Sequence, residues 1–228
     1  MEIVEIGPGL GSLSYKLIQH FDVRAYEIDR DLCNYLENKF SNKRFNLINM
    51  DVLNIEFNSN GWLHNDPYIL VSNLPYYLAT KIILNLFRDN MCKGMLVMTQ
   101  KEVALKFCAK EESRDFCALS VLSRSISDKI NILMDIPSSA FSPSPKVEST
   151  IFSICKNSKT IENGFESFLK KAFSSPRKNI LNNLNKINGI KEILSNLNIN
   201  TNLRPHQIST IQYHQIFNKI KEINYGRK

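Results

Sequence analysis

A glycine-punctuated turn closes the first apolar run of this sequence, and it constrains the fold more than any other feature. Val4-Glu5-Ile6-Gly7-Pro8-Gly9-Leu10-Gly11 puts three glycines where a buried strand, Glu2–Ile6, gives way to a helical pattern over Ser12–His20. Glycine permits the tight turn and lets a ligand approach the backbone, whose free amides at a helix start favour polar ligand atoms. The alternation that begins there continues. Strand patterns at Val23–Ile28, Phe45–Asn49, Tyr68–Ser72 and Gly94–Thr99 interleave with helical ones at Asp31–Phe40, Ala79–Phe87, Lys101–Ala109 and Ala118–Ser125. Alternating β and α units predict a parallel sheet with helices on both faces, a doubly wound α/β fold. Lys129–Asp135 and Ser149–Ile154 read as two further strands with no helix between them, closing one edge as an antiparallel pair.

From about Lys156 the texture changes. Phe165–Phe173, Asn179–Leu184, Ile190–Leu194, Ile208–Gln212 and Gln215–Ile223 carry apolar residues at helical spacing, separated by Asn, Ser and Gly. The expected division is a larger domain over residues 1–156 and a small helical domain over 157–228. Charge divides near the same place. Residues 1–155 carry 16 Lys+Arg against 18 Asp+Glu, whereas 156–228 carry 13 against 4. A basic appendage on a near-neutral body suits a polyanion partner, the plain alternative being a solvated lysine-rich surface. No apolar run approaches the length of a membrane span, and Glu2 and Glu5 interrupt the only apolar stretch at the start. The five cysteines lack C-x-x-C spacing and the four histidines are dispersed. Reduced thiols, a cytoplasmic location and no metal are therefore expected.

Candidate ligand groups stand where strands end. Glu27, 18 residues after Gly9, has the position of a ribose-binding carboxylate, although a Glu in a charged turn beside Asp29, Arg30 and Asp31 reads the same locally. Asp51 follows the third strand, where an adenine amine could be accepted or a helix start capped. Asn73-Leu74-Pro75-Tyr76 follows the fourth strand and is the most specific signal in the chain. The exocyclic amine of adenine is a poor nucleophile because its lone pair is delocalised into the ring. An Asn side-chain oxygen and a main-chain carbonyl held by a proline can accept both of its N–H groups. The nitrogen then turns tetrahedral and its lone pair is freed for attack on a sulfonium methyl. Tyr76 offers a flat face to a base that must be unstacked to reach the site. Positioning supplies most of such catalysis, and no strong base is required.

Through these residues the chain resembles the small-subunit rRNA adenine-N6,N6-dimethyltransferases. The resemblance covers Val4–Gly11, Glu27–Leu32, Asp51, Asn73–Tyr76, Gln100–Val103, Ala118–Val121, Pro137–Ser149, Arg177-Lys178 and Ile208–Tyr213. It implies a Rossmann-like class I methyltransferase sheet with S-adenosylmethionine as cofactor. It also implies an activity on the N6 amines of two adjacent adenosines of small-subunit rRNA, alone or in a pre-30S particle, during ribosome biogenesis. By that match Gly7, Gly9, Glu27, Asp51 and Asn73 would bind the cofactor, Asn73, Leu74, Pro75 and Tyr76 would form the catalytic loop, and the protein would act as a monomer. Lys170, Lys171, Arg177 and Lys178 would hold RNA phosphates, with Lys81, Lys101 or Lys106 near the pocket as the rival grip. Two alternatives stay open: a large-subunit rRNA adenine-N6 methyltransferase, which shares the glycine loop and an N-x-P-Y variant, and a catalytically impaired ribosome-assembly factor. Family members also carry a Q-N/H-F-L segment ahead of the first strand that covers the cofactor. This chain begins at Met1, nearly inside that strand, and is expected to lack it.

Overall fold

A computed structural model describes residues 1–40, 44–57 and 61–225. In chain order the elements are β1 (Glu2–Ile6), α1 (Ser12–Leu17), β2 (Val23–Glu27), α2 (Arg30–Lys39), β3 (Phe45–Asn49), β4 (Tyr68–Asn73), α3 (Ala79–Arg88), β5 (Cys92–Gln100), α4 (Lys101–Cys108) and α5 (Ala118–Ser125). They continue with β6 (Ser127–Ile136), β7 (Ser149–Lys156), α6 (Phe165–Ala172), α7 (Ile180–Leu184), α8 (Ile190–Asn196) and α9 (Thr210–Tyr225). The chain divides into two compact units, residues 1–104 with 127–160, and residues 105–126 with those from 161 onward.

In the first unit the strands form one seven-stranded sheet in the order β3-β2-β1-β4-β5-β7-β6. The pairings from β3 through to β5 are all parallel, whereas β7 runs antiparallel to both β5 and β6. This is the expected Rossmann-like sheet of the class I methyltransferases, including its antiparallel edge pair. Parallel strands covered on both faces need near-continuous apolar runs. Val4, Ala25 and Leu70 are accordingly fully buried. Helix α3 turns Ala79, Ile82, Ile83, Leu86 and Phe87 inward, the i, i+3, i+4, i+7, i+8 stripe of a helix laid on a sheet. Strand order reverses between β1 and β4, so the crevice beyond their carboxyl ends is where such a sheet binds ligands.

The second unit is helical, but it does not start at residue 157. It also takes Leu105–Ile126, hence α5 and the second half of α4. The reason lies in partners distant in sequence. Ser125 Oγ lies 2.7 Å from His214 Nε2, the Thr210 amide donates to Glu111 Oε1 at 2.8 Å, and the Phe116 and Phe173 rings meet edge to face. An aromatic cluster of Phe165, Phe168, Phe217 and Tyr213 forms its centre, with the His214 ring stacked 4.2 Å from that of Phe165. Two local expectations are corrected. The patterns at Ile208–Gln212 and Gln215–Ile223 belong to a single helix, α9, because Tyr213 and His214 between them do not break it; Ile208 precedes it. The first helix ends at Leu17 rather than His20, since the amides of His20 and Phe21 turn back to the Leu17 carbonyl. Arg227 and Lys228, part of the basic segment, lie outside the described residues.

Candidate active site

Four strands of the first unit deliver the sequence-selected residues to one edge. Gly7 follows β1, Glu27 ends β2, Asp51 follows β3 and Asn73 ends β4. The glycine loop is held open by left-handed backbone: φ is 66° at Gly7, 57° at Gly9 and 75° at Gly11, values any side chain would strain. Gly11 is also sterically required, because a Cβ there would lie 2.6 Å from the Phe40 ring and 2.7 Å from Leu36. At Gly9 a Cβ would meet nothing within 4 Å, so the loop is sterically open at that position.

The loops after β1 and β4 adjoin. Ser72 Oγ donates to the Ile6 carbonyl at 2.6 Å, and a Cβ on Gly7 would stand 3.6 Å from Pro75 Cγ. The Leu74 amide donates to the Met98 carbonyl at 3.1 Å, and the Pro75 carbonyl accepts from the amides of Leu78 and Ala79 at 3.0 Å each. Those bonds fix the tetrapeptide between β5 and the start of α3. Leu74 is buried, Tyr76 is half-buried, and Asn73 is exposed with its side-chain amide making no hydrogen bond among the described residues. The Tyr76 hydroxyl lies 2.6 Å from Ser149 Oγ at the start of β7. Asn73, Pro75 and Tyr76 share a cavity of about 300 Å³ with Phe141, Pro143 and Pro145. Phe141–Pro145 lie inside the Pro137–Ser149 stretch that carries the resemblance, but nothing in their local sequence assigns those side chains or Ser149 a role.

The two carboxylates are already engaged by the backbone. Glu27 Oε1 accepts from the amides of Ile28 (2.9 Å) and Asp29 (3.0 Å), and Oε2 accepts from Gly9 at a long 3.3 Å. Asp51 caps the short turn over Val52–Asn54 through Oδ1, which accepts from the Leu53 amide at 2.9 Å. Among the described residues its Oδ2 accepts nothing. One carboxylate beneath the loop has no sequence signal that marks it as a site residue. Glu5 is buried, its Oε2 takes a 2.6 Å hydrogen bond from Ser14 Oγ, and burial pushes its pKa up to about 7. The glycine-loop amides and the carboxylates of Glu27 and Asp51 are the groups at this edge that could hold an adenosyl ligand.

In the second unit Lys170, Lys171 and Lys178 line one cavity of about 720 Å³ together with Lys186, which sequence reasoning does not single out. Arg177 is exposed nearby in sequence but is not among its lining residues. Asn183 pins the intervening loop: its Oδ1 accepts from the Ser175 amide (2.8 Å) and its Nδ2 donates to the Asn179 carbonyl (2.9 Å). Lys170 also pairs with Glu166 at 2.8 Å on its own helix. The rival Lys101 is neutralised by Glu148 at 2.8 Å and Asp135 at 3.0 Å. All five cysteines are free. Among the described residues no cluster of His, Cys, Asp or Glu could hold a metal, and no helix is long and apolar enough to cross a membrane.

The family model "Ribosomal RNA adenine dimethylase" matches residues 1–222. The chain is 46% identical to ribosomal RNA small subunit methyltransferase A of Helicobacter hepaticus over 241 residues, covering 100% of this chain and 84% of that protein. It is 44% identical to the protein of the same name from Aliarcobacter butzleri, covering 96% and 85%. A dimethyladenosine transferase from Plasmodium falciparum shares the fold at a TM-score of 0.81 and 20% identity, covering 96% of this chain and 90% of that one. The 23S rRNA methyltransferase ErmE does so at 0.72 and 22%, covering 97% and 91%. This chain belongs to the ribosomal RNA adenine dimethylase family, the S-adenosylmethionine-dependent methyltransferases of rRNA.

Proposed function

We propose that the chain dimethylates the N6 amines of two adjacent adenosines in small-subunit rRNA, acting as a cytoplasmic monomer on that RNA or on a pre-30S particle. The observation that carries this is the apposition of Gly7 and Pro75, which sets the cofactor loop beside the Asn73–Tyr76 loop at the sheet's reversal point. S-adenosylmethionine, when bound, supplies an electrophilic methyl on a sulfonium. The protein's part is to hold and orient. Amides of the glycine loop face the ligand, the remaining acceptor capacity of Glu27 takes ribose hydroxyls, and Asp51 Oδ2 takes the adenine amine. The Asn73 side-chain oxygen accepts one N–H of the target amine and the Leu74 carbonyl the other, so its lone pair points toward the methyl. Tyr76, steadied by Ser149, stacks on the flipped base and keeps water from its face. Lysines of the helical unit hold phosphates without reading sequence.

The test is a methylation assay on protein-free small- and large-subunit RNA, read by mass spectrometry of nucleosides. Wild type is expected to give N6,N6-dimethyladenosine in the small-subunit RNA. Asn73→Ala is expected to lose most turnover with RNA affinity nearly intact, because its bond is made to the reacting amine. Near-normal dimethylation by Asn73→Ala would overturn the mechanism, and modification of large-subunit RNA alone would overturn the substrate.

A further inference from the structure

Lys156 sits at the opposite end of the sheet from the glycine loop, where β5 begins and antiparallel β7 ends. A cavity of about 280 Å³ opens there, bounded by Lys93, Lys156 and Lys159 and by the neutral side chains of Asn90, Asn157 and Ser158. None of its lining residues carries a carboxylate. The half-buried Lys156 makes this more than a lysine-bearing surface. Its ammonium donates to the carbonyls of Leu86 and Asp89, both at 2.6 Å, where the end of α3 favours a cation. Two of its three N–H donors are thereby used. Burial draws its pKa below the lysine range, so a charge kept there gains from an anion beside it.

The carboxylate of Asp89 is near enough to attract Lys156 but makes no ion pair with it. Asp89 is buried and turned to other partners, accepting from the Tyr68 hydroxyl at 2.6 Å and the Met91 amide at 2.9 Å. Lys93 Nζ donates to the Asn90 carbonyl at 2.7 Å, and the Lys159 amide donates to Asn157 Oδ1 at 2.9 Å, an Asx turn that fixes the loop after β7. Three cations, one buried counter-charge and several neutral donors leave an electropositive cavity with hydrogen bonds to give. We infer that this cavity binds a phosphate group, presented by the RNA backbone or by a free phosphate or nucleotide. β5 spans nine residues, roughly 30 Å, so a phosphate held at its start touches no reacting atom and acts on affinity alone.

The test uses the Lys93→Ala/Lys159→Ala double variant, which leaves Lys156 in place to cap α3. Calorimetric titration of RNA-free protein with inorganic phosphate and with AMP is run beside filter binding of small-subunit RNA over a salt series. If the RNA backbone is the source, the double variant binds RNA several-fold more weakly and loses about 1.4–1.8 from its log–log salt slope. S-adenosylmethionine affinity and kcat then stay unchanged while KM rises. If a free ligand is the source, phosphate or AMP binds wild type and not the variant, with the RNA slope unaltered. Phosphate and AMP binding that is absent from wild type, or equal in wild type and variant, together with an unchanged RNA slope overturns the inference. A wild-type protein that methylates no adenine would sink the reaction proposed above while leaving these binding outcomes readable.

Discussion

Both oxygens of Glu27 accept from backbone amides, three in all, so replacing it removes a loop brace and a ligand group together. Asp51 differs, because its cap uses one oxygen and leaves the other for ligand. Glu27→Ala is expected to weaken S-adenosylmethionine binding by about 1.5–3 kcal/mol and to lower thermal stability as well. Asp51→Asn is expected to weaken binding while leaving stability unchanged, since Asn caps a helical turn as well as Asp does. Calorimetric titration and a thermal melt on each variant separate the two roles. Wild-type affinity in both variants would remove these residues from the cofactor site. A comparable split applies to Tyr76. Tyr76→Phe gives up only the hydroxyl's bond to Ser149, whereas Tyr76→Ala gives up a stacking face worth about 1–3 kcal/mol per base. The Phe variant is expected to keep most of wild-type kcat/KM, and the Ala variant to fall by roughly 5- to 150-fold, the same energy expressed as a rate ratio. Equal effects in the two would transfer the role from the ring to the hydroxyl.

Helix α1 is tied to β1 through Glu5 and Ser14, and that tie makes the element sensitive to pH. Burial raises the Glu5 carboxyl from 4.5 to about 7, so the folded state holds this proton more tightly than the unfolded chain does. The stability it contributes is complete below about pH 4.5 and is lost as pH rises through about 7. The change amounts to about 3 kcal/mol on the scale of 1.36 kcal/mol per pKa unit. Glu5→Gln, which keeps an acceptor for the Ser14 hydroxyl, is expected to abolish that slope and to be the more stable protein at pH 8. Urea denaturation at pH 5, 6, 7 and 8 checks it, and parallel pH profiles for variant and wild type would refute it. Most strands and helices here are legible in the sequence because burial on a sheet imposes a period on it. β1, β3 and α5 begin and end where the pattern places them. What local patterning does not carry is which body an element joins. The apolar stripe of α5 fits a sheet or a bundle equally well, and its bond to His214 spans 89 residues. The Tyr76–Ser149 bond spans 73, and only the insertion of β7 beside β5 creates it. Gly7, Glu27, Asp51 and Asn73 are readable because each marks the end of a strand. Lys186 and Asn183 are not, since their role comes from the way α6 and α7 face one cavity.

Taken as a whole, the molecule carries a net charge of +7, with −2 over residues 1–155 and +9 beyond them, and the helical unit concentrates several of those positive charges at one cavity. The catalytic-edge rival is weakened by its own neighbours, because Lys101 already faces two carboxylates. Lys170 has one such neighbour, Glu166, but that pair is a surface i,i+4 interaction worth well under about 1 kcal/mol and yields readily to a phosphate. Neutralising Lys170, Lys171, Arg177 and Lys178 together is therefore expected to weaken binding to many structured RNAs alike, since phosphate contacts set affinity and register rather than sequence. Every cation removed from a phosphate should flatten the log–log salt dependence by about 0.7–0.9, and all four by roughly 3. S-adenosylmethionine affinity should not move, because the glycine loop and both carboxylates belong to the other unit. Adding Lys186→Ala should flatten the slope further, as that side chain lines the same cavity. Filter binding across a salt series, beside calorimetry with the cofactor, reads all of this at once. A four-site variant whose slope matches wild type, set against a Lys81→Ala variant that no longer holds RNA, would move the phosphate grip to the catalytic unit.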